Sequence, residues 1–255
     1  MKFERSEILM NKIQVLAKEI KQIFSPQIIT DVYSICKQLG IDIVEAPIKA
    51  DAYLKCEDGS SYIVLKESLN VNRKKFTIAH ELGHFYIPWH SELMFGCDIK
   101  EMDFKNDYVP REKEANMFAA ELLMPIEEFK NFFSGKINYT MVSGLANIFD
   151  VSFQAALNRC IDLANEDCIA ICSINRCVKW FKSTEDFPLF INRKKVSELS
   201  GADELFDLQL FQVKTIQEPG YVWFSNADDI DIEEESVLFP TYNEVISIIH
   251  LKNEL

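Results

Sequence analysis

The chain has 255 residues and a formal net charge of −13, with 48% hydrophobic and 26% charged residues. It is therefore long enough to bury a sizeable core, in one large domain or two modest ones. The acidic balance opposes sequence-independent binding to a phosphate backbone, although it leaves room for a local basic patch or a protein partner. The sequence contains no apolar run of membrane-spanning length and no signal-peptide core, which predicts a cytoplasmic protein.

The N-terminal third predicts two helices and then a small sheet. Apolar residues recur at helical spacing over residues 3–24, and again from Ile28 to Leu39, where Gly40 is a good C-cap residue. Residues 41–44 predict a short strand. Residues 52–56 and 61–65 flank the turn pair Asp58-Gly59 and predict a hairpin. Such a sheet could form the floor of a cleft whose edge pairs with an extended peptide, or it could simply cover the core.

The next helix, expected from about Asn72 to just before Pro88, carries the sequence His80-Glu81-Leu82-Gly83-His84. Residues four apart share one helix face, so the two imidazoles can point at one metal ion, most simply zinc. Glu81 would lie close enough to take a proton from an activated water. The same five residues also occur by chance, so the motif requires a third ligand.

A candidate third ligand lies on a second helix, within residues 111–125. Glu112 follows His84 by 28 residues, and a carboxylate commonly completes a set of two histidines. Asn116 shares a face with Glu112 and could orient a ligand. Glu114 is a competing ligand that points elsewhere on the helix, and a run of solvated charges is the plain alternative.

Two further features flank the metal motif. His90 could donate to a developing oxyanion, although a histidine in this position is more often a loop residue. Residues 91–110 predict a loop that crosses the site.

The remainder of the chain predicts two modules without catalytic motifs. Residues 140–150 and 152–164 resemble a helix-turn-helix in outline, but the second helix carries only one basic residue, Arg159, which favours packing over DNA reading. The tail then predicts β-strands at residues 169–172, 178–181, 221–224 and 245–249. From residue 166 onward it holds 17 acidic against 8 basic residues, and it suits binding, sensing or a stabilising lid.

Seven cysteines, an odd number, are most simply free thiols in a reducing compartment. Four of them lie between Cys160 and Cys177 without the paired C-x-x-C spacing of a zinc ribbon, so we expect them in the core or in strands.

Residues 76–84 and 112–125 together resemble the signature of the ImmA/IrrE family of metallopeptidases, and the resemblance extends over roughly residues 26–165. It implies a minimal thermolysin-like zinc-peptidase fold, with His80, His84 and Glu112 as zinc ligands and Glu81 as the base. Members of this family are commonly regulatory proteases that cleave helix-turn-helix repressors or antitoxins. Some carry a C-terminal GAF-like domain, and this is the expectation for the tail.

The sequence therefore predicts an α+β protein in three parts: a peptidase domain at 1–130 with a helix at 1–25 and a small antiparallel sheet, a helix-turn-helix-like segment at 131–166, and a β-rich, GAF-like domain at 167–255. The expected function is zinc-dependent cleavage of a separate repressor or antitoxin in a stress, mobile-element or phage-related response. The alternative is a non-proteolytic, zinc-containing stress or defence regulator that acts through protein or DNA binding. Neither a membrane nor nucleic acid is an expected partner.

Overall fold

The computed structural model describes residues 2–57, 59–93, 104–191, 194–208, 210–227 and 229–252. The fold is α+β, as predicted, with helices and two small sheets. The chain divides into two compact units, one formed by Met1–Phe132 with Ala146–Ser152 and the other by Phe133–Leu145 with Phe153–Leu255. The three-part division of the sequence stays a prediction.

The first unit contains the metal motif. Its elements are α1 (Lys2–Phe24), α2 (Val32–Gln38), β1 (Ile41–Ala46), β2 (Ala52–Glu57), β3 (Ser60–Lys66), α3 (Val71–Tyr86), a 3₁₀ turn (Pro88–Leu93), α4 (Phe104–Leu123) and α5 (Ile126–Lys130). Helix α4 packs against both α1 and α3, and α3 also packs against the sheet. Asn70 begins α3 by accepting a hydrogen bond from the backbone N–H of Arg73, as an N-cap residue does.

The three-stranded sheet has the order β1-β3-β2, which corrects one detail of the prediction. The hairpin of β2 and β3 is antiparallel as expected, but β1 pairs with β3 in parallel. The chain reverses after β1 and enters β2 two positions away in the sheet. Strand β3 then fills the position between them and runs in the direction of β1. Strand β2 is therefore an edge strand. Asp58, half of the predicted turn pair, lies outside the described residues.

Two other helix predictions change at their boundaries. The predicted second helix included Ile28 and Ile29, but α2 begins at Val32, and both isoleucines are exposed. The buried Lys21 amine takes the backbone carbonyls of Gln27 and Ile28 as acceptors, which holds this connection in a non-helical path. Of the predicted loop at 91–110, residues 91–93 belong to the 3₁₀ turn and 104–110 to α4. Residues 94–103 lie outside the described part.

The second unit is built on a five-stranded antiparallel sheet with the order β5-β4-β8-β7-β6. Its strands are β4 (Cys168–Ile174), β5 (Cys177–Ser183), β6 (Gln212–Pro219), β7 (Asp231–Phe239) and β8 (Glu244–Leu251), and it includes the short helix α8 (Gly201–Leu205). The strand predicted at 221–224 is wrong: Gly220–Val222 form a 3₁₀ turn. Trp223 and Phe224 are instead buried in the core that covers this sheet. A GAF-like character for the tail stays a prediction.

Helices α6 (Tyr139–Phe149) and α7 (Phe153–Leu163) occupy the predicted helix-turn-helix-like segment. Arg159, the single basic residue of α7, is 8% exposed. A buried guanidinium does not reach a phosphate backbone, so this helix lacks a basic reading surface. Over the described residues, no helix combines the length and apolar character needed to cross a bilayer.

Candidate metal centre

Three side chains converge where α3 faces α4. Within the described residues, His80, His84 and Glu112 form a group whose ligand atoms all lie within 4.8 Å of one another. The Nε2 atoms of the two histidines are 3.1 Å apart, and each lies 3.3 Å from an oxygen of the Glu112 carboxylate. Two imidazole nitrogens and one carboxylate are a typical set of protein ligands for a catalytic divalent metal. This group could therefore hold a metal ion.

The ring orientation of His80 suits that role. Its Nδ1 lies 2.9 Å from Oδ1 of Asn116. An amide oxygen only accepts hydrogen bonds, so the ring donates from Nδ1–H. The lone pair of Nε2 is then free and faces the other two ligand atoms. Asn116 on α4 thus lies where the sequence predicted an orienting residue, and its role stays a prediction.

His84 is held in a neutral, metal-binding form. Burial lowers its pKa to about 3, with smaller contributions from His80, His90 and Arg111. The opposite ring nitrogen, Nδ1, lies 3.0 Å from Nδ1 of His90. Only a neutral imidazole can donate a lone pair to a metal, so the surroundings of His84 favour metal binding over protonation.

Glu81 lies beside the ligand group and is only 7% exposed. Its pKa is raised to about 7, first by burial and then by the nearby negative charge of Glu112. A backbone hydrogen bond from Leu54 on β2 acts in the opposite direction. A carboxyl group that titrates near neutral pH can both accept and release a proton there, which is the requirement for a general base.

The two helices approach closely because of Gly83. A Cβ atom at this position would lie 3.1 Å from Cα of Ala115 and 3.2 Å from its carbonyl oxygen. The contact is with the backbone of α4, in the turn that follows Glu112. The glycine therefore lets α4 bring its carboxylate to the histidines of α3.

His90 and Glu114 lie next to this group rather than in it. The His90 side chain is buried, and both ring nitrogens have partners: Nδ1 contacts His84, and Nε2 lies 2.9 Å from Oε2 of Glu114. In this arrangement neither nitrogen is available to an oxyanion, so the role predicted for His90 gains no support. Trp89 donates its indole N–H to the same Glu114 oxygen, at 2.6 Å. The sequence reasoning missed the contacts of Glu114 and Trp89, since spacing along one helix does not show what the next turn places beside it.

The comparisons with known proteins agree with this geometry. The sequence model of the IrrE N-terminal-like domain, Peptidase M78, matches residues 36–160, which include the whole ligand group. Residues 36–160 thus belong to the ImmA/IrrE family. Among solved structures, this chain is similar to a Mycobacterium tuberculosis transcriptional regulator, with a TM-score of 0.60 and 12% sequence identity. The alignment covers 94% of this chain and 76% of the regulator, and at that identity it shows a shared fold alone. A search of curated proteins found no match.

Proposed function

We propose that this ImmA/IrrE family member is a zinc-dependent metallo-endopeptidase. The observation that carries the proposal is the convergence of His80, His84 and Glu112, with Glu81 buried beside them. Two histidines and one carboxylate form the ligand set of zinc hydrolases that keep one coordination position open for chemistry. The match to a family of peptidases supports the same reaction class.

The three ligands and the base Glu81 have different roles in peptide hydrolysis. Zinc, when bound by the three ligands, supplies a Lewis acid for a water molecule and a peptide carbonyl. Glu81 accepts the proton that the attacking water loses and delivers it to the leaving amine, which its pKa of about 7 allows in both directions. Asn116 accepts a hydrogen bond from Nδ1–H of His80, so that this ring keeps its orientation during the reaction.

The edge of the sheet supports a peptide as the substrate. Leu54 of the edge strand β2 hydrogen-bonds through its backbone to the Glu81 carboxylate, which places this strand beside the base. An edge strand offers backbone donors and acceptors that an extended peptide can pair with. A substrate segment added to this edge would therefore lie across the reacting groups.

The proposed substrate is a separate helix-turn-helix repressor or antitoxin, which places the enzyme in transcription regulation. The structural similarity to a protein described as a transcriptional regulator agrees with that setting. The alternative is a regulator that uses zinc only to hold its fold and does not cut its partner.

The variant Glu81→Gln separates the two functions. It removes the base and leaves the three ligands in place, so we expect one equivalent of zinc, as in the wild type, and cleavage slowed by about 10²-fold or more. Purified wild type and variant are incubated with repressors encoded by neighbouring genes, and the products are read by mass spectrometry. Glu112→Ala serves as the control that loses zinc.

Two outcomes contradict the proposal. One is a wild-type protein that contains no zinc after expression in zinc-supplemented medium. The other is a zinc-containing wild type that leaves the candidate partners intact while Glu81→Gln complements the biological function fully. The second outcome establishes the non-proteolytic regulator instead.

A further inference from the structure

A hydrogen-bonded series of side chains begins at His84, on the side of its ring that faces away from the other two ligands. His84 Nδ1 lies 3.0 Å from Nδ1 of His90, and His90 Nε2 lies 2.9 Å from Oε2 of Glu114. Trp89 donates its indole N–H to the same oxygen at 2.6 Å. The side chains of His90 and Glu114 are 2% and 12% exposed, so water competes little for these contacts.

The positions of the ring protons in this series follow from Glu114. A carboxylate oxygen only accepts, so the contact with Glu114 requires the proton of His90 to lie on Nε2. A neutral imidazole has one ring proton, which leaves the Nδ1 of His90 as an acceptor. His84 must then donate from its own Nδ1, and its Nε2 lone pair faces His80 and Glu112.

We propose that Glu114 and His90 are positioning residues that hold His84 in the Nδ1–H tautomer and in the ring orientation that binds metal. The inference rests on the proposed zinc site. Helix α4 would thus contribute to the site twice: Glu112 supplies a ligand directly, and Glu114 acts on His84 through His90, which lies in the 3₁₀ turn after α3. Partners of this kind typically contribute a factor of about 10 to 100 in metal affinity.

Two pairs of variants test the hydrogen bonds rather than the bulk of the side chains. We expect His90→Ala to weaken zinc binding about 10- to 100-fold. The variant His90→Asn should retain most of the wild-type affinity, because the asparagine amide oxygen can accept a hydrogen bond near the former position of Nδ1. Glu114→Gln keeps one oxygen that can accept from both His90 and Trp89, whereas Glu114→Ala keeps none. We therefore expect Glu114→Ala to weaken binding clearly more than Glu114→Gln.

The measurement is zinc affinity by competition with a chromophoric chelator, starting from the zinc-loaded full-length protein. Glu121→Ala is the control, because Glu121 is a buried carboxylate on the same helix whose side chain accepts from the backbone of Ile126, away from the histidines. We expect this control to lower the melting temperature and to leave zinc affinity unchanged. A loss caused only by reduced stability would appear in the control as well.

The ring tautomer supplies a second, independent readout. In ¹⁵N-histidine NMR spectra of the zinc-loaded wild type, we expect His84 to carry its proton on Nδ1 and His90 on Nε2. A His90 proton on Nδ1, or equal zinc affinity in wild type, His90→Ala and Glu114→Ala, would overturn the inference. Either result leaves the proposed zinc peptidase intact, whereas a wild type without zinc refutes the proposed function itself.

Discussion

At the scale of single residues, Gly83 controls how close the two halves of the metal centre can come. Helix α3, which carries both histidines, has no side chain at the position that faces Ala115, and the candidate ligand Glu112 lies one turn before that alanine. A side chain here would meet backbone, which cannot move away as a flexible side chain can. The candidate ligands of α3 and α4 can therefore meet only because Gly83, which is not one of them, lets the two helices approach closely.

Replacing Gly83 with alanine is expected to destabilise the protein by about 1–3 kcal/mol, because the added methyl group overpacks the contact between α3 and α4. It should also weaken zinc binding, since α4 and Glu112 are pushed away from the histidines. Chemical denaturation and chelator competition measure the two effects.

Gly144 provides the matched control for this change. It lies within helix α6, and a Cβ atom there would meet nothing within 4 Å. Gly144→Ala should therefore be neutral or stabilising by up to about 1 kcal/mol, as helix propensity alone dictates. If Gly83→Ala has the same small effect as Gly144→Ala, the close approach of the helices at Gly83 does not limit stability or zinc binding.

At the scale of elements, strands β6 and β7 bury two carboxyl groups on one sheet. Glu234 is fully buried and accepts hydrogen bonds from the indole N–H of Trp223, at 2.7 Å, and from the hydroxyl of Ser236, at 2.5 Å. Glu218, only 7% exposed, lies close to it. Burial and then the neighbouring Glu234 raise the pKa of Glu218 far above its usual value, so Glu218 keeps its proton at neutral pH.

This pair should make the stability of the second unit fall as pH rises. Above the ordinary glutamate pKa of 4.5, the unfolded chain releases the Glu218 proton while the folded chain still holds it. The folded state then binds more protons than the unfolded state, so the free energy of unfolding decreases with pH until the folded carboxyl also ionises. The expected observation is a falling denaturant midpoint between about pH 5 and pH 8, read from the tryptophan fluorescence, to which Trp180 and Trp223 of this unit contribute.

The variant Glu218→Gln should flatten this dependence and raise the midpoint at pH 8, because an amide has no proton to lose. Glu198→Gln, at an exposed position in the same unit, should leave the slope unchanged. A wild type whose midpoint is constant from pH 5 to pH 8 would show that Glu218 is ionised in the folded protein.

At the scale of the whole molecule, the three proposed metal ligands all belong to one of the two units. A ligand that binds only the folded state stabilises it by an amount set by its concentration relative to its dissociation constant, about 4.1 kcal/mol at a thousandfold excess. Zinc should therefore slow amide hydrogen exchange in α3 and α4. The five-stranded sheet of the second unit should exchange at the same rate with and without zinc.

Glu112→Ala is the control for this exchange experiment, because zinc should then give no protection in either unit. Protection that appears in β4–β8 of the wild type, or that survives in Glu112→Ala, would contradict a single metal site formed by His80, His84 and Glu112.

The sequence predicted the helices of the first unit and the β2–β3 hairpin well, because their signals are local: apolar periodicity, caps and turn residues. In the tail it identified β4, β5 and β8, but it took the apolar run at 221–224 for a strand and missed β6 and the acidic strand β7. Tertiary partners decide both cases. Trp223 fills the core above the sheet, and its indole N–H, together with the hydroxyl of Ser236, lets Glu234 sit in a buried strand.

For the site, the sequence by itself determined the two histidines and the glutamate of one helix turn, since helical geometry alone fixes their mutual placement. It also singled out Glu112 as a candidate. Only the tertiary structure decided that Glu112, rather than Glu114, faces His80 and His84, and that Glu114 contacts His90 instead. The reason is physical: Glu112 follows His84 by 28 residues, so whether the two side chains meet depends on how the faces of α3 and α4 pack. At Gly83 the absence of a Cβ atom lets the two helices approach closely.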